Sequence, residues 1–564
     1  MSTVSSVLPL AAVGTPIVGI VAIIASHRYP DVREGATILT AVTTLAFVAS
    51  MVPTALAGNV PTADLGPFVP GVQFVLRADP LGMIFGLLAS FLWLVTSFYS
   101  IGYMRGLDEH AQTRYYAAFA GSIASAVGVA FASNLIILYV FYELLTVATY
   151  PLVAHDETEE ARTAGRKYLA YTFGGGVTAL AGTALLYVAT GTISFSPGGI
   201  AELGTVDPLM GQVIFALLVG GFGVKAALMP VHSWLPDAMV APTPVSGLLH
   251  AVAVVKSGVF AIARVVLDVF GPVQMSDLGV GLPLAIVAGL TIVTASVIAL
   301  RQDNLKRRLA YSTISQLSYI VLGLALLSPA AMVGGLLHIP AHAFMKLTLF
   351  FAAGAIHVET HTDDISNMVG IGRRMPLTMI AFGIASMGMA GLPLLAGFVS
   401  KWYLLIGSVD AGHTIFVLVL LTSGLLNIAY FWPIVYQAFF QTPATSDAKP
   451  VIEGPLGGSL ARADGGTVPP KDGAYAVDRN PSDLGGDGPD FETEGEHTAN
   501  EYHHGGPPAG GWEWHPFGTE STWFMLGPIL VAVGGAVVLG IDPQGAIFLD
   551  LIHAVVSEVA GVTF

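Results

Sequence analysis

The sequence has no cysteine among its 564 residues. Iron–sulfur clusters are held by cysteine thiolates, and a disulfide needs two cysteines, so these residues carry neither. A glycine-rich nucleotide loop and a Walker motif are absent as well. We therefore expect no cofactor and no metal ion, and any work must draw on an ion gradient or on a partner protein.

Charge is also scarce. Charged residues make up 11% of the chain, hydrophobic residues make up 54%, and the mean hydropathy is +0.71. Because a membrane-spanning helix needs about 20 apolar residues, the pattern predicts an all-α polytopic membrane protein with about fourteen transmembrane helices. The predicted spans are 4–26, 35–57, 80–104, 114–131, 133–154, 166–190, 210–230, 243–263, 281–300, 307–328, 331–356, 376–406, 412–440 and 522–541.

The few positive charges are unevenly distributed between the predicted loops. With the N-terminus outside, thirteen of them fall in inner loops, and only Arg77 and Arg264 fall in outer loops. Since cytoplasmic loops carry an excess of Lys and Arg, we expect a cell-membrane protein with both termini outside. The inner set comprises Arg28, Arg33, Arg105, Arg114, Arg162, Arg166, Lys167, Arg301, Lys306, Arg307, Arg308, Arg373 and Arg374.

Two regions follow the membrane body, which ends near Gln441. Residues 442–520 hold fourteen Asp and Glu against four Lys and Arg, and low hydrophobicity with high net charge predicts a disordered inner segment. It is either a linker or a partner-docking region, and its adjacent His503 and His504 lack the ligand spacing of a metal site. Residues 521–564 add a final span and a short amphipathic tail suited to the membrane interface.

Four lysines lie within long apolar stretches, whereas no arginine does. A charge at the bilayer centre costs about 2.5–3.5 kcal/mol on insertion scales, so such residues usually have a function. A desolvated lysine can lose its proton near neutral pH, whereas arginine stays charged. Titratable lysines with His and Glu neighbours are what a proton path needs. The four are Lys225, Lys256, Lys346 and Lys401.

Glu143 and Lys225 are the first candidate pair. Glu143 is the only acid in its span, and a nearby lysine would let both groups ionise. Lys225 precedes Pro230, whose ring clashes with a backbone carbonyl and breaks the helix. Broken helices at mid-membrane recur at transporter sites. The alternatives are a protonated Glu143 that bonds a neighbouring helix and a Lys225 that only anchors its helix at the interface.

His250 and Lys256 share the eighth predicted span. Six residues correspond to about 240° of helix rotation, so the two side chains do not share a face. Each must meet a different neighbour, or a water molecule must lie between them. His250 is interpreted as a proton relay, with a plain interhelix hydrogen bond as the alternative.

His338, His342 and Lys346 follow one another at intervals of four residues. This spacing places all three on one helix face. Pro340 lies between the two histidines and is expected to distort the helix and free backbone groups. Three titratable groups in a row are typical of a proton wire.

Lys401 follows a stretch interrupted by Gly391, Pro393 and Gly397. These residues predict a second broken helix, with Lys401 after the break, whereas Lys225 lies before its own. The opposite placement suggests two related halves. An interfacial anchor is the alternative role for Lys401.

These motifs resemble the antiporter-like family shared by Mrp-type multisubunit Na+/H+ antiporters, respiratory complex I and membrane-bound hydrogenases. The resemblance covers about residues 75–440, and the chain looks most like the D-type Mrp subunit. The motifs that carry it are NLIILYVFYELL, GVKAALMPVHSWLPDAMVAPTPVSGLLHAVAVVKSGV, LKRRLAYSTISQLSY and HIPAHAFMKLTLF.

The resemblance implies three N-terminal helices at 1–112 and two inverted five-helix units at 113–270 and 281–440, each with a broken helix. It also implies the other subunits of a membrane complex, the lipid bilayer and protons as partners, with Na+ as a candidate ion. No nucleic acid is expected. A Glu143–Lys225 pair would gate a hydrated central axis. That axis would run through Lys256, His338, His342 and Lys346 to Lys401.

Four functions remain open at this point. The chain is interpreted first as the proton-conducting subunit of a cation/proton antiporter. The second function is a proton-pumping subunit of a complex I-type oxidoreductase or hydrogenase, and the third is the membrane subunit of a proton-driven inorganic-carbon uptake complex. A non-conducting scaffold is the fourth, and the intact set of lysines argues against it.

Overall fold

The computed structural model describes residues 2–442, 505–508 and 511–563, and most of these residues are helical. Most of the acidic segment predicted to be disordered therefore lies outside the described residues, as do His503 and His504. Two π-helical turns, Leu248–Val252 and Val265–Phe270, interrupt the helices. The described α-helices are α1 (Leu8–Ala25), α2 (Pro30–Leu56), α3 (Pro80–Gly106), α4 (Gln112–Phe131), α5 (Leu135–Val153), α6 (Glu159–Thr190), α7 (Pro208–Lys225), α8 (Trp234–Asp237), α9 (Thr243–Gly247), α10 (Val254–Arg264), α11 (Gly271–Asp277), α12 (Gly281–Leu300), α13 (Leu305–Ala325), α14 (Pro329–Thr360), α15 (Pro376–Ala390), α16 (Ala396–Asp410), α17 (Ile415–Phe440), α18 (Trp523–Ile541) and α19 (Phe548–Ala560).

The helices confirm the prediction of a multi-pass membrane protein. Within the described ranges, ten helices are long and apolar enough to cross a membrane, and α15 is a shorter apolar helix. Each of the predicted spans overlaps at least one helix, including α4, α10, α13 and α16, which fall outside the ten. The total of fourteen spans and the inverted repeats stay predictions.

A small β-sheet at the N-terminal side of α3 is a feature that the all-α prediction missed. Strand β1 (Ser2–Ser5) pairs in parallel with β2 (Asn59–Val69), which pairs antiparallel with β3 (Val72–Arg77). The first helix therefore starts at Leu8 rather than near residue 4. The β2–β3 turn contains Gly71, whose φ of +83° is a conformation that glycine adopts without strain.

Arg264 is buried, in contrast to its predicted place in an outer loop. It is only 1% exposed, and its guanidinium lies 2.7 Å from Asp79 Oδ1 and 2.7 Å from Asp268 Oδ2. Burial alone would raise the pKa of Asp79, but Arg264 and Arg77 outweigh it and lower that pKa to about 2. The cluster ties the start of α3 to the end of α10, because a buried charge needs paired and hydrogen-bonded partners.

The opposite end of the helices carries the charges predicted to face inward. Arg105 pairs with Asp31 and Glu34, and Lys167 Nζ lies 2.5 Å from Asp237 Oδ2. These pairs connect α2 with α3 and α6 with α8. The positively charged loops are therefore joined to one another at one end of the bundle.

The last part of the predicted disordered segment packs on this end of the protein. Trp512 Nε1 donates to the carbonyl of Val369 at 2.8 Å. Glu520, only 2% exposed, accepts from the amides of Leu377 and Thr378 at 2.9 and 2.6 Å. A carboxylate at the start of α15 satisfies amides that have no partner inside the helix. Disorder was thus wrong for this part, because local composition does not reveal such tertiary anchors.

The C-terminal tail forms α19, which packs on α3 and α14. Its buried face consists of Phe548, Leu549, Leu551, Ile552, Val555 and Val556. The helix is amphipathic as predicted, but α3 and α14 rather than the membrane interface cover its apolar face.

Candidate functional site

Glu143 lies on α5 opposite Gly176 of α6. Both of its carboxylate oxygens are buried, and neither has a hydrogen-bond partner within the described residues. A Cβ atom on Gly176 would lie 2.0 Å from Glu143 Oε1. The missing side chain at Gly176 therefore provides the space that the carboxylate occupies.

Lys225 is the last residue of α7 and is fully buried. Its Nζ donates to the backbone carbonyl of Tyr142 and lies 3.3 Å from the centre of the Tyr142 ring. Glu143 is the next residue and interacts electrostatically with Lys225 without a direct hydrogen bond. The predicted pair is therefore close in space, and Lys225 bonds the residue that precedes Glu143.

The break after Lys225 lies where the sequence predicts it. Ala227 has a φ of +54°, and the indole Nε1 of Trp234 donates to the carbonyl of Val224 at 2.8 Å. The same carbonyl accepts from the amide of Ala227 at 3.1 Å, so the last turn of α7 is closed by a backbone bond and a side-chain bond. A Cβ on Gly258 of α10 would lie 2.3 Å from the amide nitrogen of Ala226. Helix α10 therefore packs directly on the broken end of α7.

Lys256 and His250 meet different neighbours, as their spacing predicts. Lys256 Nζ lies 2.8 Å from His342 Nδ1. His250 sits in a π-helical turn, its ring centre is 4.7 Å from that of Phe350, and neither ring nitrogen has a hydrogen-bond partner in the described chain. The sequence did not reveal the π turn, which is often found at functional sites.

Helix α14 places its titratable residues along one buried face. His338 Nδ1 lies 2.8 Å from Ser400 Oγ, and its Nε2 lies 2.9 Å from Gln316 Oε1. The rings of His338 and His342 are 6.1 Å apart. Helix α14 continues through Pro340, so the distortion expected at this residue does not end the helix.

Lys346 and Lys401 both donate to backbone carbonyls. Lys346 Nζ lies 3.1 Å from the carbonyl of Leu309. Lys401 Nζ donates to the carbonyl of Met389 near the end of α15, across the predicted break at Gly391. Within the described residues, neither lysine has a carboxylate in contact, so each relies on carbonyl dipoles when it is charged.

A polar branch on α13 and α17 was missed by the sequence reasoning. Gln316 Nε2 donates to Asn427 Oδ1 at 3.3 Å, and Asn427 in turn accepts from Tyr430. The Tyr430 hydroxyl, which donates its one proton to Asn427, also lies 3.0 Å from Ser312 Oγ and can accept from that hydroxyl. The sequence signal for this branch was Asn427 in the middle of an apolar span, because burying an amide costs free energy unless it is hydrogen-bonded. This branch leads from His338 along α13 toward the predicted inner end.

The network also orients His338. Since the Gln316 amide donates to Asn427, its Oε1 accepts from His338, so His338 Nε2 carries the proton and Nδ1 accepts from Ser400. This tautomer is assigned from the bonding pattern. In the Lys256–His342 contact, a lysine ammonium can donate to a neutral ring, or an imidazolium can donate to a neutral amine. The pair can therefore pass a proton in either direction.

Comparison with known proteins shows the family of this chain. The model for "NADH:quinone oxidoreductase/Mrp antiporter, TM" matches residues 132–426, which contain all eight candidate residues. The chain belongs to this family. It is accordingly an antiporter-like membrane subunit of the Mrp or complex I type.

Relatives come from both branches of the family. NADH-quinone oxidoreductase subunit N of Desulforudis audaxviator is 37% identical over 396 residues, 68% of this chain and 76% of that protein. The A subunit of the Na(+)/H(+) antiporter of Alkalihalophilus pseudofirmus is 37% identical over 355 residues, 59% of this chain but only 43% of that protein. The Mrp complex from Dietzia sp. DQ12-45-1b has the same fold, with a TM-score of 0.77 and 22% identity over 98% of this chain and 97% of that one. The resemblance to the family is confirmed, whereas the D-type subunit stays a prediction.

Proposed function

We propose that this protein is the proton-translocating subunit of a multisubunit antiporter that exchanges a monovalent cation, Na+ in the first instance, for H+. Protons would move along a buried row of titratable side chains that runs from Lys256 through His342 and His338 to Lys401. Their movement would drive cation export elsewhere in the complex. The other subunits of that complex would be its partners. The role needs no cofactor in this chain.

The observation that carries the proposal is the short Lys256–His342 contact in a row that continues toward Lys401. Lys256 meets His342 at 2.8 Å, and His338 bonds Ser400, the neighbour of Lys401. Each member is buried, so one bound proton raises the cost of charging the next group. Because neighbouring positive charges repel each other, a proton that binds at one group favours release of the proton from the next group. Charge would therefore move along the row one step at a time.

The pair of Glu143 and Lys225 would act as the switch at one end of this row. Lys225 now donates to the carbonyl of Tyr142, while the Glu143 oxygens have no hydrogen-bond partner within the described residues. A small rotation of the lysine side chain would exchange the carbonyl for the carboxylate. Once Lys225 pairs with Glu143, its positive charge is neutralised. Lys256 can then take up a proton with less repulsion from Lys225.

Proton entry is proposed from the inner side of a cell membrane, with both termini outside. A cavity of about 620 Å³ with several charged residues in its lining lies beside the α8 segment that follows the break after Lys225. Lys167, Asp237 and Lys306 are among its lining residues. Charged side chains at the cavity would keep water next to the path.

The test uses inverted vesicles that contain the whole complex, with a preset proton gradient and a pH-sensitive dye. Adding Na+ without a redox substrate should move protons in the wild type. Lys256→Arg keeps the charge but cannot release its proton, so we expect the rate to fall at least about tenfold. Lys471→Ala, in the acidic segment, is the control for loss of a lysine and should behave as wild type. A wild-type rate in Lys256→Arg would contradict proton exchange at this residue.

A complex I-type role is the second candidate, and the identity to NADH-quinone oxidoreductase subunit N favours it. The same residues would then be driven by electron transfer in partner subunits. Proton movement that appears only after a redox substrate is added, and not after Na+, would assign the chain to this second role.

A further inference from the structure

Two turns at the predicted inner end bring together three metal-binding side chains. Glu109 and His110 lie in the turn between α3 and α4, and His155 lies in the turn after α5. The potential ligand atoms of these residues lie within 4.8 Å of one another. None of them belongs to the buried row described above.

The individual distances suit one shared ion. Glu109 Oε2 lies 3.8 Å from His110 Nδ1 and 3.9 Å from His155 Nε2, and the two imidazole centres are 4.8 Å apart. In a tetrahedral zinc site with ligands at about 2.0–2.1 Å, neighbouring ligand atoms are about 3.3 Å apart. Small side-chain rotations would therefore close the cluster around an ion.

His155 is the independent sign of a missing ligand. Its side chain is fully buried, and the backbone of His110 can bond at most one of its ring nitrogens, so at least one ring nitrogen lacks a hydrogen-bond partner within the described residues. Leaving a buried polar group unbonded costs about 1–3 kcal/mol. A metal ion bound to the ring would remove this cost.

A further carboxylate lies next to the cluster. Asp156 also lies close enough to interact with Glu109, and a second negative charge there would attract a cation.

We propose that Glu109, His110 and His155 bind one divalent transition-metal ion, with Zn2+ as the best match. Two imidazoles and one carboxylate are a common zinc ligand set, with a fourth position left for water. The ion would join the α3–α4 turn to the end of α5, the helix that carries Glu143. The site departs from the sequence-based expectation of a metal-free chain, and it stands independently of the proposed proton path.

The test is a Zn2+ titration of the purified full-length chain, first stripped with a chelator, against a chromogenic competitor at pH 7. One ion should bind per chain, and His155→Gln and Glu109→Gln should each weaken binding at least about tenfold, since each removes one of three ligands. A variant with His503→Gln and His504→Gln is the matched control and should bind as wild type. Thermal unfolding would show whether each variant is folded.

X-ray absorption on the zinc-loaded chain gives a second, activity-free readout. Two imidazole ligands are expected in the wild type and one in His110→Gln, a residue exposed enough to be replaced without unfolding. Weak binding in the wild type would overturn the proposal. So would tight binding that persists in all three cluster variants or is lost in the His503/His504 control.

Discussion

One methyl group at Gly176 would test whether the position of the Glu143 carboxylate matters for transport. A Cβ there would lie 2.0 Å from Glu143 Oε1 and 2.8 Å from its Cδ, distances that no structure tolerates. The carboxylate ends a flexible side chain, so Gly176→Ala should fold while displacing the carboxylate by more than about 1 Å. A rotamer change of this kind costs about 1 kcal/mol, close to the gain of about 0.5–1 kcal/mol from replacing a helical glycine by alanine.

We therefore expect Gly176→Ala to have nearly wild-type stability and a proton-transport rate reduced about ten- to a hundredfold, as misplaced reacting groups usually cause. Gly174→Ala is the matched control on the same helix, because no atom lies within 4 Å of its Cβ position. It should be as stable as wild type or more so and transport normally. The rates come from the vesicle assay, and the stabilities come from thermal unfolding in detergent.

A double variant makes the reasoning refutable. If Gly176→Ala acts through the carboxylate, then combining it with Glu143→Gln should be no slower than Glu143→Gln alone. Wild-type transport in Gly176→Ala would show that the position of Glu143 has no effect. Additive losses would mean that the methyl group acts on another part of the path.

Three further substitutions test the packing and the polar branch. Asn427→Leu leaves Gln316 without its acceptor, and we expect a loss of about 1–3 kcal/mol in the free energy of unfolding together with slower transport in the vesicle assay. Arg264→Leu removes the partner of the buried Asp268, whereas Asp79 keeps Arg77 at 3.1 Å. The loss should be about 3–5 kcal/mol, measured by thermal unfolding; adding Asp268→Asn should restore part of it, and no recovery would contradict the pairing. Gly258→Ala places a Cβ 2.3 Å from backbone atoms of the α7 end, so a folded yield well below wild type is expected, whereas an unchanged melting temperature would refute the close approach of these helices.

The local sequence was sufficient to predict much of the helical framework around the candidate residues. Runs of apolar residues predicted the helices, and the residues around Pro230 and Gly391 predicted the two breaks, because both depend on the immediate neighbours of a residue. The four-residue spacing of His338, His342 and Lys346 placed them on one face. These features are properties of a single helix, so no knowledge of the fold was needed.

The partner of each charged group was decided by the tertiary structure. Lys225 bonds the carbonyl of Tyr142, Lys256 meets His342, and Arg264 is buried between two aspartates although its sequence context indicated a loop. The branch through Asn427 and the cluster around His155 were likewise not readable from the chain. Hydropathy and helical spacing determine which residues face inward within one helix, but the contact between two helices depends on segments far apart in sequence. Only the packed fold brings those segments together, and it therefore determines which titratable side chains meet.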